Sequence, residues 1–170
     1  MKDEPLHPLA EIYHRPGFMI RRAHQIAMSI FIEEAAEHAL TTTQHGALIV
    51  VSRLPGVDQI GVSRLMGLDK STAGLVISNL VARKLLARTA DKRDSRRHHL
   101  RITRAGERML EAVAAGVARA QERLLRPFTA AERRTLIELL QRLIDAFNDV
   151  TRTPVDKRAF DMTRARLGDD

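Results

Sequence analysis

The chain has 170 residues, 44% hydrophobic and 29% charged, with a formal charge of +7; this is an ordinary globular balance that excludes a wholly disordered or low-complexity scaffold. No stretch approaches the roughly 18–20 apolar residues that span a bilayer, and the start, Met1-Lys2-Asp3-Glu4-Pro5, has no apolar signal core, so a cytoplasmic protein without a membrane partner is expected. The absence of cysteine removes disulfides, thiolate metal sites and thiol nucleophiles together.

Hydrophobic periodicity predicts a first long helix over residues 17–39. Met19, Ala23, Ile26, Ala27 and Ile30 share one side and Ile20, Met28, Phe31 and Ala35 the next, so this helix needs cover on more than one side. Thr41 and Gln44 form a capping box for a second helix, 45–54, packed through Leu48, Val51 and Leu54 and broken by Pro55-Gly56. Two shorter helices follow. The first, 58–66, carries Ile60, Val62 and Leu65; Gly67 permits a positive φ, and Asp69 caps the second, 70–84, by accepting from the backbone near Thr72. In this second helix Leu75, Val76, Leu80 and Val81 are expected to face the core. Ser71, Thr72, Ala73, Gly74, Ser78 and Asn79 would form a thin outer face able to enter a groove about 12 Å wide. Helix, glycine turn, helix is the sequence form of a helix-turn-helix.

Residues 85–103 alternate as a two-stranded hairpin with Asp91 to Arg96 at its tip. Thr103 caps a long helix, 104–125, with Leu110, Val113, Val117 and Leu124 in helical spacing, which Pro127 stops. A second capping box, Thr129 with Glu132, opens a helix to Val150 through Leu136, Leu139, Leu140, Leu143 and Phe147. Thr153-Pro154 is expected to cap a last short helix carrying Phe160 and Leu167. The fold class is mainly α with a small β-hairpin wing.

The net charge is confined to one segment. Between Arg83 and Arg104 nine cations face two anions, and the other 148 residues carry 19 of each sign. Solvated helix faces alternate in sign, whereas this segment does not, which points to a polyanion. All six aromatic residues lie outside 32–127, so no ring is near the basic segment for bases to stack on, and duplex DNA is favoured over single strands.

These residues resemble the MarR family of winged helix-turn-helix transcriptional regulators. The match runs through Leu40-Thr41 and Gln44, Gly67 to Thr72, Leu80 to Arg88, Asp91 to Arg96, and Leu100 to Gly106. The resemblance implies an obligate homodimer on a pseudo-palindromic operator, with N- and C-terminal dimerisation helices in residues 1–40 and 104–170 around a DNA-binding module in 41–103. The family's wing usually reads Asp-Arg-Arg; here it is Asp94-Ser95-Arg96. Lacking cysteine, the chain falls outside the peroxide-sensing branch, which leaves a small molecule as the input. The stretch Arg15 to Gln25 also looks like members that control breakdown of aromatic acids or their CoA thioesters.

On this reading Lys70, Ser71, Thr72, Ser78 and Asn79 contact base edges and flanking phosphates while Arg83 holds the DNA backbone. Arg96 enters the minor groove with Asp94 fixing its direction, flanked by Arg93 and Arg97; the alternative for Arg96 is a surface ion pair. An effector carboxylate would pair with Arg21 and His24, near Met28 and Phe31, with His45, Ile49 and Arg53 closing the site. Equally, Glu34 or a residue of the other protomer could satisfy those two cations. His98-His99 point to opposite faces of a strand and cannot easily share a metal. No P-loop, G-x-S-x-G or H-E-x-x-H occurs, so neither cofactor nor catalytic site is expected. An architectural, sequence-nonspecific DNA binder is the alternative function.

Overall fold

Five helix starts are fixed by side chains acting over three residues. Thr41, Asp58, Asp69, Thr103 and Thr129 accept from the backbone N–H of Gln44, Gly61, Thr72, Gly106 and Glu132 respectively, satisfying donors that a helix leaves orphaned. The computed structural model describes residues 10–90 and 98–156. In chain order these form α1 (Ala10–Tyr13), α2 (Pro16–Glu34), a 3-10 turn (Ala36–His38), α3 (Thr42–Arg53), α4 (Gln59–Met66) and α5 (Lys70–Ala82). Then come β1 (Leu86–Ala90), β2 (His98–Ile102), α6 (Arg104–Leu125), α7 (Ala130–Phe147) and a second 3-10 turn (Asn148–Val150). No helix among the described residues is long and apolar enough to cross a membrane.

The core gathers Phe31 of α2, Leu48 and Val51 of α3, Val62 of α4, Ile77 and Leu80 of α5, Leu100 of β2 and Val113 of α6. The hairpin is antiparallel, Leu86 opposite Ile102 and Arg88 opposite Leu100. On the other edge of β2, the Gly56 and Leu100 N–H groups donate to the Leu100 and Val57 carbonyls. The wing is thus fastened to the loop that precedes α4.

Four elements differ from the sequence expectation. The first long helix ends at Glu34 rather than Ala39: the chain tightens into the 3-10 turn and Ala39 turns left-handed at φ 46°. There it crosses α6 so closely that a methyl group on Gly116 would lie 2.5 Å from the Glu34 carbonyl oxygen. Arg119 Nε donates to Glu34 Oε2 at 3.0 Å and Arg123 Nη1 to Glu34 Oε1 at 3.1 Å, bracing the same crossing.

In α5, Leu75 is exposed while Ala73 and Ile77 are buried. The inward set is Ala73, Val76, Ile77 and Leu80, the i, i+3, i+4, i+7 stripe of one helix face. Leu54, expected inside, is also exposed, because it is the non-helical residue ending α3. Finally, residues 154–156 are not helical, since Thr153 and Asp156 are drawn into bonds with the α4 end; Phe160 and Leu167 lie outside the described residues.

α7 has no buried side chain. Its apolar stripe, Ile137, Leu140, Ile144 and Phe147 among it, is between 41% and 57% exposed, and Met19, Ile20 and Ile32 of α2 are similarly uncovered. An amphipathic helix gains its stability from burying such a stripe, and one chain alone leaves it bare.

Candidate nucleic-acid interface and adjoining cleft

The outward face of α5 starts at its cap. The Asp69 carboxylate accepts from the Thr72 N–H at 2.8 Å, from the Thr72 hydroxyl at 2.6 Å and from the Ser71 hydroxyl. These bonds, the Ser71 hydroxyl foremost, hold its pKa far below the usual carboxylate range. Lys70, Ser71, Ser78 and Asn79 project to solvent as the sequence suggested, while Thr72 is half-buried. Leu75 joins them. It was missed because a leucine reads as core, although a helical wheel started from Ala73 puts it outside beside Ser71 and Ser78.

β1 reaches this face directly, since Arg88 Nη2 donates to Ser78 Oγ at 3.2 Å. Arg101 and Arg104 are exposed nearby in sequence. Arg93, Asp94, Arg96 and Arg97 lie outside the described residues. Arg83 departs from its expected role on the DNA backbone: Nη1 donates to the Ala39 carbonyl at 2.7 Å and Nη2 to the His38 carbonyl at 2.9 Å. Its guanidinium is committed to tying the C-terminal end of α5 to the turn after α2. His99 donates from Nδ1 to the Gly56 carbonyl at 2.7 Å, a structural use, and no cluster of metal-binding side chains occurs among the described residues.

The expected effector residues divide into two groups. His45, Ile49 and Arg53 of α3 line a cleft of about 410 Å³ closed by Leu110, Ala114 and Val117 of α6. Phe31 adjoins it through His45, the two rings 5.7 Å apart at 45°, while Met28 Sδ accepts from the Thr42 hydroxyl at 2.8 Å at the start of α3. Arg21 and His24 are not brought there within one chain. Both are exposed, and Arg21 sits roughly 15 Å along α2 from Phe31 at 1.5 Å per residue. The Arg21 guanidinium lies 4.9 Å over the Phe18 ring and donates to Gln25. Glu34, the suggested counter-charge, is occupied by Arg119 and Arg123, which lower its pKa.

Burial lowers the His45 pKa below its ordinary value, so folding disfavours the protonated ring. The unfolded chain binds a proton near pH 6.5 and the folded chain only below that. Stability is therefore full above about pH 6.5 and falls as pH drops through the window beneath it. Thermal melts from pH 7.5 down to 5.5 are expected to show a declining Tm in the wild type and a shallower decline in His45→Phe, which keeps the ring contact without a titrating group. Parallel slopes would assign the decline to other groups.

Residues 39–97 match the model of the MarR family. Over 156 residues the chain is 30% identical to a protein of Thauera aromatica described as a transcriptional regulatory protein for the hcr operon, covering 88% of this chain and 92% of that one. The chain belongs to the MarR family. This MarR-family member is therefore a transcriptional regulator and not an enzyme. Among solved structures, PcaV of Streptomyces coelicolor in complex with its natural ligand is 32% identical with a TM-score of 0.73, the match covering 84% of this chain and 99% of that one. BpsR of Bordetella bronchiseptica, described for regulation of its DNA binding by 6-hydroxynicotinic acid, is 26% identical with a TM-score of 0.74 and the same two coverages. The winged-helix architecture of this MarR-family chain, mainly helical with one two-stranded hairpin, agrees with these neighbours.

Proposed function

We propose that the chain acts as a homodimeric repressor that holds a pseudo-palindromic duplex operator and is released by a small aromatic acid or the aryl end of an aromatic acyl-CoA. The observation that carries this reading is the exposed, polar outer face of α5 beside the segment that contains all of the net positive charge. The bare stripes of α2 and α7 support the dimer, with residues 1–40 and 104–170 as its dimerisation parts and 41–103 as the DNA-binding module. Two α5 helices about 34 Å apart would enter successive major grooves while the wings hold the flanking minor grooves. Lys70, Ser71, Ser78 and Asn79 are the base-edge and phosphate contacts in this reading, with Thr72 beside them, and Arg93, Asp94, Arg96 and Arg97 belong to the wing. A regulator acting on genomic DNA works in the cytoplasm.

The cleft between α3 and α6 is the effector site in this reading. Its volume suits an aryl acid, Arg53 supplies the cation for a carboxylate, and it lies between the DNA-binding helices and α6. An acid bound there shifts the spacing of the two α5 helices by its differential affinity for the two arrangements. The regulation of BpsR by 6-hydroxynicotinic acid supports this class of ligand. Operator titrations by fluorescence anisotropy are expected to lose affinity when a matching aromatic acid is present, and Arg53→Ala is expected to bind the operator but ignore the acid. Unchanged affinity across a broad panel of aromatic acids and their CoA thioesters would leave a ligand-independent regulator. Equal affinity for operator and random duplex would favour the architectural reading.

A further inference from the structure

The chain beyond α7 returns to the helix-turn-helix and bonds to its turn. Asn148 is buried, and its amide uses both ends on one residue: Nδ2 donates to the Val155 carbonyl at 3.0 Å and Oδ1 accepts from the Val155 N–H at 2.9 Å. The Thr151 hydroxyl donates to the Asn148 carbonyl at 2.8 Å. Residues 148–155 are thus closed into a preformed loop. A buried amide satisfied on both sides is costly to disturb, since removing one partner strands the other.

This loop delivers two donors to the end of α4. The Asp156 N–H donates to the Arg64 carbonyl at 3.2 Å, and the Thr153 hydroxyl donates to the Gly67 carbonyl at 2.8 Å. Helix ends leave their last carbonyls without internal partners, so the α4 end is capped by a segment 86 residues away in the chain. Gly67, at φ 62°, has no side chain to obstruct the approach: a methyl group there would lie 2.9 Å from Val155 Cγ2 and 3.4 Å from the Thr153 carbonyl oxygen. Gly67 therefore serves both the left-handed turn and the docking. Three residues later α5 begins, and Asp69, Lys70 and Ser71 line the same groove as Asp149 and Arg152.

We propose that residues 148–156 are a positioning strap: they fix the turn between α4 and the recognition helix α5, and through it the N-terminal end of α5, to the end of α7, as Arg83 fixes its C-terminal end to the turn after α2. The recognition helix is held at both ends by the parts of the chain that carry the uncovered apolar stripes. Asn148, Thr153 and Gly67 touch no DNA; they act by setting where α5 sits. The inference rests on the operator-binding reading, because a fixed spacing matters only to a protein that reads two grooves at once.

The test uses the full chain with Asn148→Ala, Thr153→Val and the conservative Thr153→Ser. Operator and random-duplex affinities are measured by anisotropy, mass by analytical ultracentrifugation, and backbone opening by hydrogen exchange. Asn148→Ala is expected to lose about tenfold in operator affinity and Thr153→Val at least threefold, the range that one or two net hydrogen bonds supply. Random-duplex affinity and mass stay at wild-type values, exchange quickens over residues 64–71, and Thr153→Ser behaves as wild type. If Asn148→Ala does not fold, Thr153→Val against Thr153→Ser decides. Operator losses below threefold, or exchange over 64–71 unchanged in Thr153→Val, overturn the strap. A wild-type protein that fails to distinguish operator from random duplex instead defeats the operator reading, which separates the two failures.

Discussion

Raising the salt from 50 to 200 mM is expected to weaken duplex binding by about 10³- to 10⁵-fold, the loss that accompanies release of counterions from 6–10 neutralised phosphates. In the proposed reading the cations that follow Arg83, through Arg104, would supply the contacts. If each protomer of a dimer neutralises about four phosphates, log affinity falls against log salt with a slope of about −7. Arg96→Ala removes one such cation from each wing and is expected to flatten the slope to about −5. Arg83→Ala behaves differently, because that guanidinium is spent on the His38 and Ala39 carbonyls: the slope stays near −7 while melting occurs earlier. Anisotropy titrations at four or five salt concentrations measure all three slopes. Affinity indifferent to salt would remove the polyanion altogether, and an unflattened slope in Arg96→Ala would take that residue off the DNA.

The second large effect is in the core beneath the same helix. Ile77 is fully buried among α3, β2 and α6 residues, so Ile77→Ala is expected to cost about 2–5 kcal/mol through lost transfer and a residual cavity. For a chain of this size that corresponds to a Tm lower by about 4–20 °C, compared at equal protomer concentration because a dimer's stability depends on it. Leu75→Ala, two residues away, removes a side chain that is 65% exposed and is expected to move stability by no more than about 0.5 kcal/mol. Its effect falls on operator affinity, where an apolar side chain can meet a thymine methyl. Equal melting shifts in the two variants would contradict the orientation of α5.

The pair shows what was legible in the sequence and what was not. The caps at Thr41, Asp69, Thr103 and Thr129 were readable because donor and acceptor lie within three residues, and the hairpin was readable from its alternation. The end of α2 was not, because Arg83, some 44 residues on, bonds the carbonyls after it. Arg83 itself looked like a phosphate ligand, since its sequence neighbours are basic and its partners are remote backbone oxygens. The cleft residues of α3 came from the family resemblance, whereas Arg21 and His24 of α2 are exposed in one chain, Arg21 lying ten residues from Phe31. The residues after Thr153 suggested a cap because Thr-Pro is a common helix start; a distant helix end took the threonine hydroxyl instead.

The Asp69 cap also limits what the start of the recognition helix can say to a base pair. With the hydroxyl protons of Ser71 and Thr72 both directed into that carboxylate, the two oxygens keep only lone pairs to offer. If α5 enters a major groove as proposed, such a face would favour the exocyclic amines of cytosine or adenine, and the acceptor-rich edge of guanine would be left to the ammonium of Lys70.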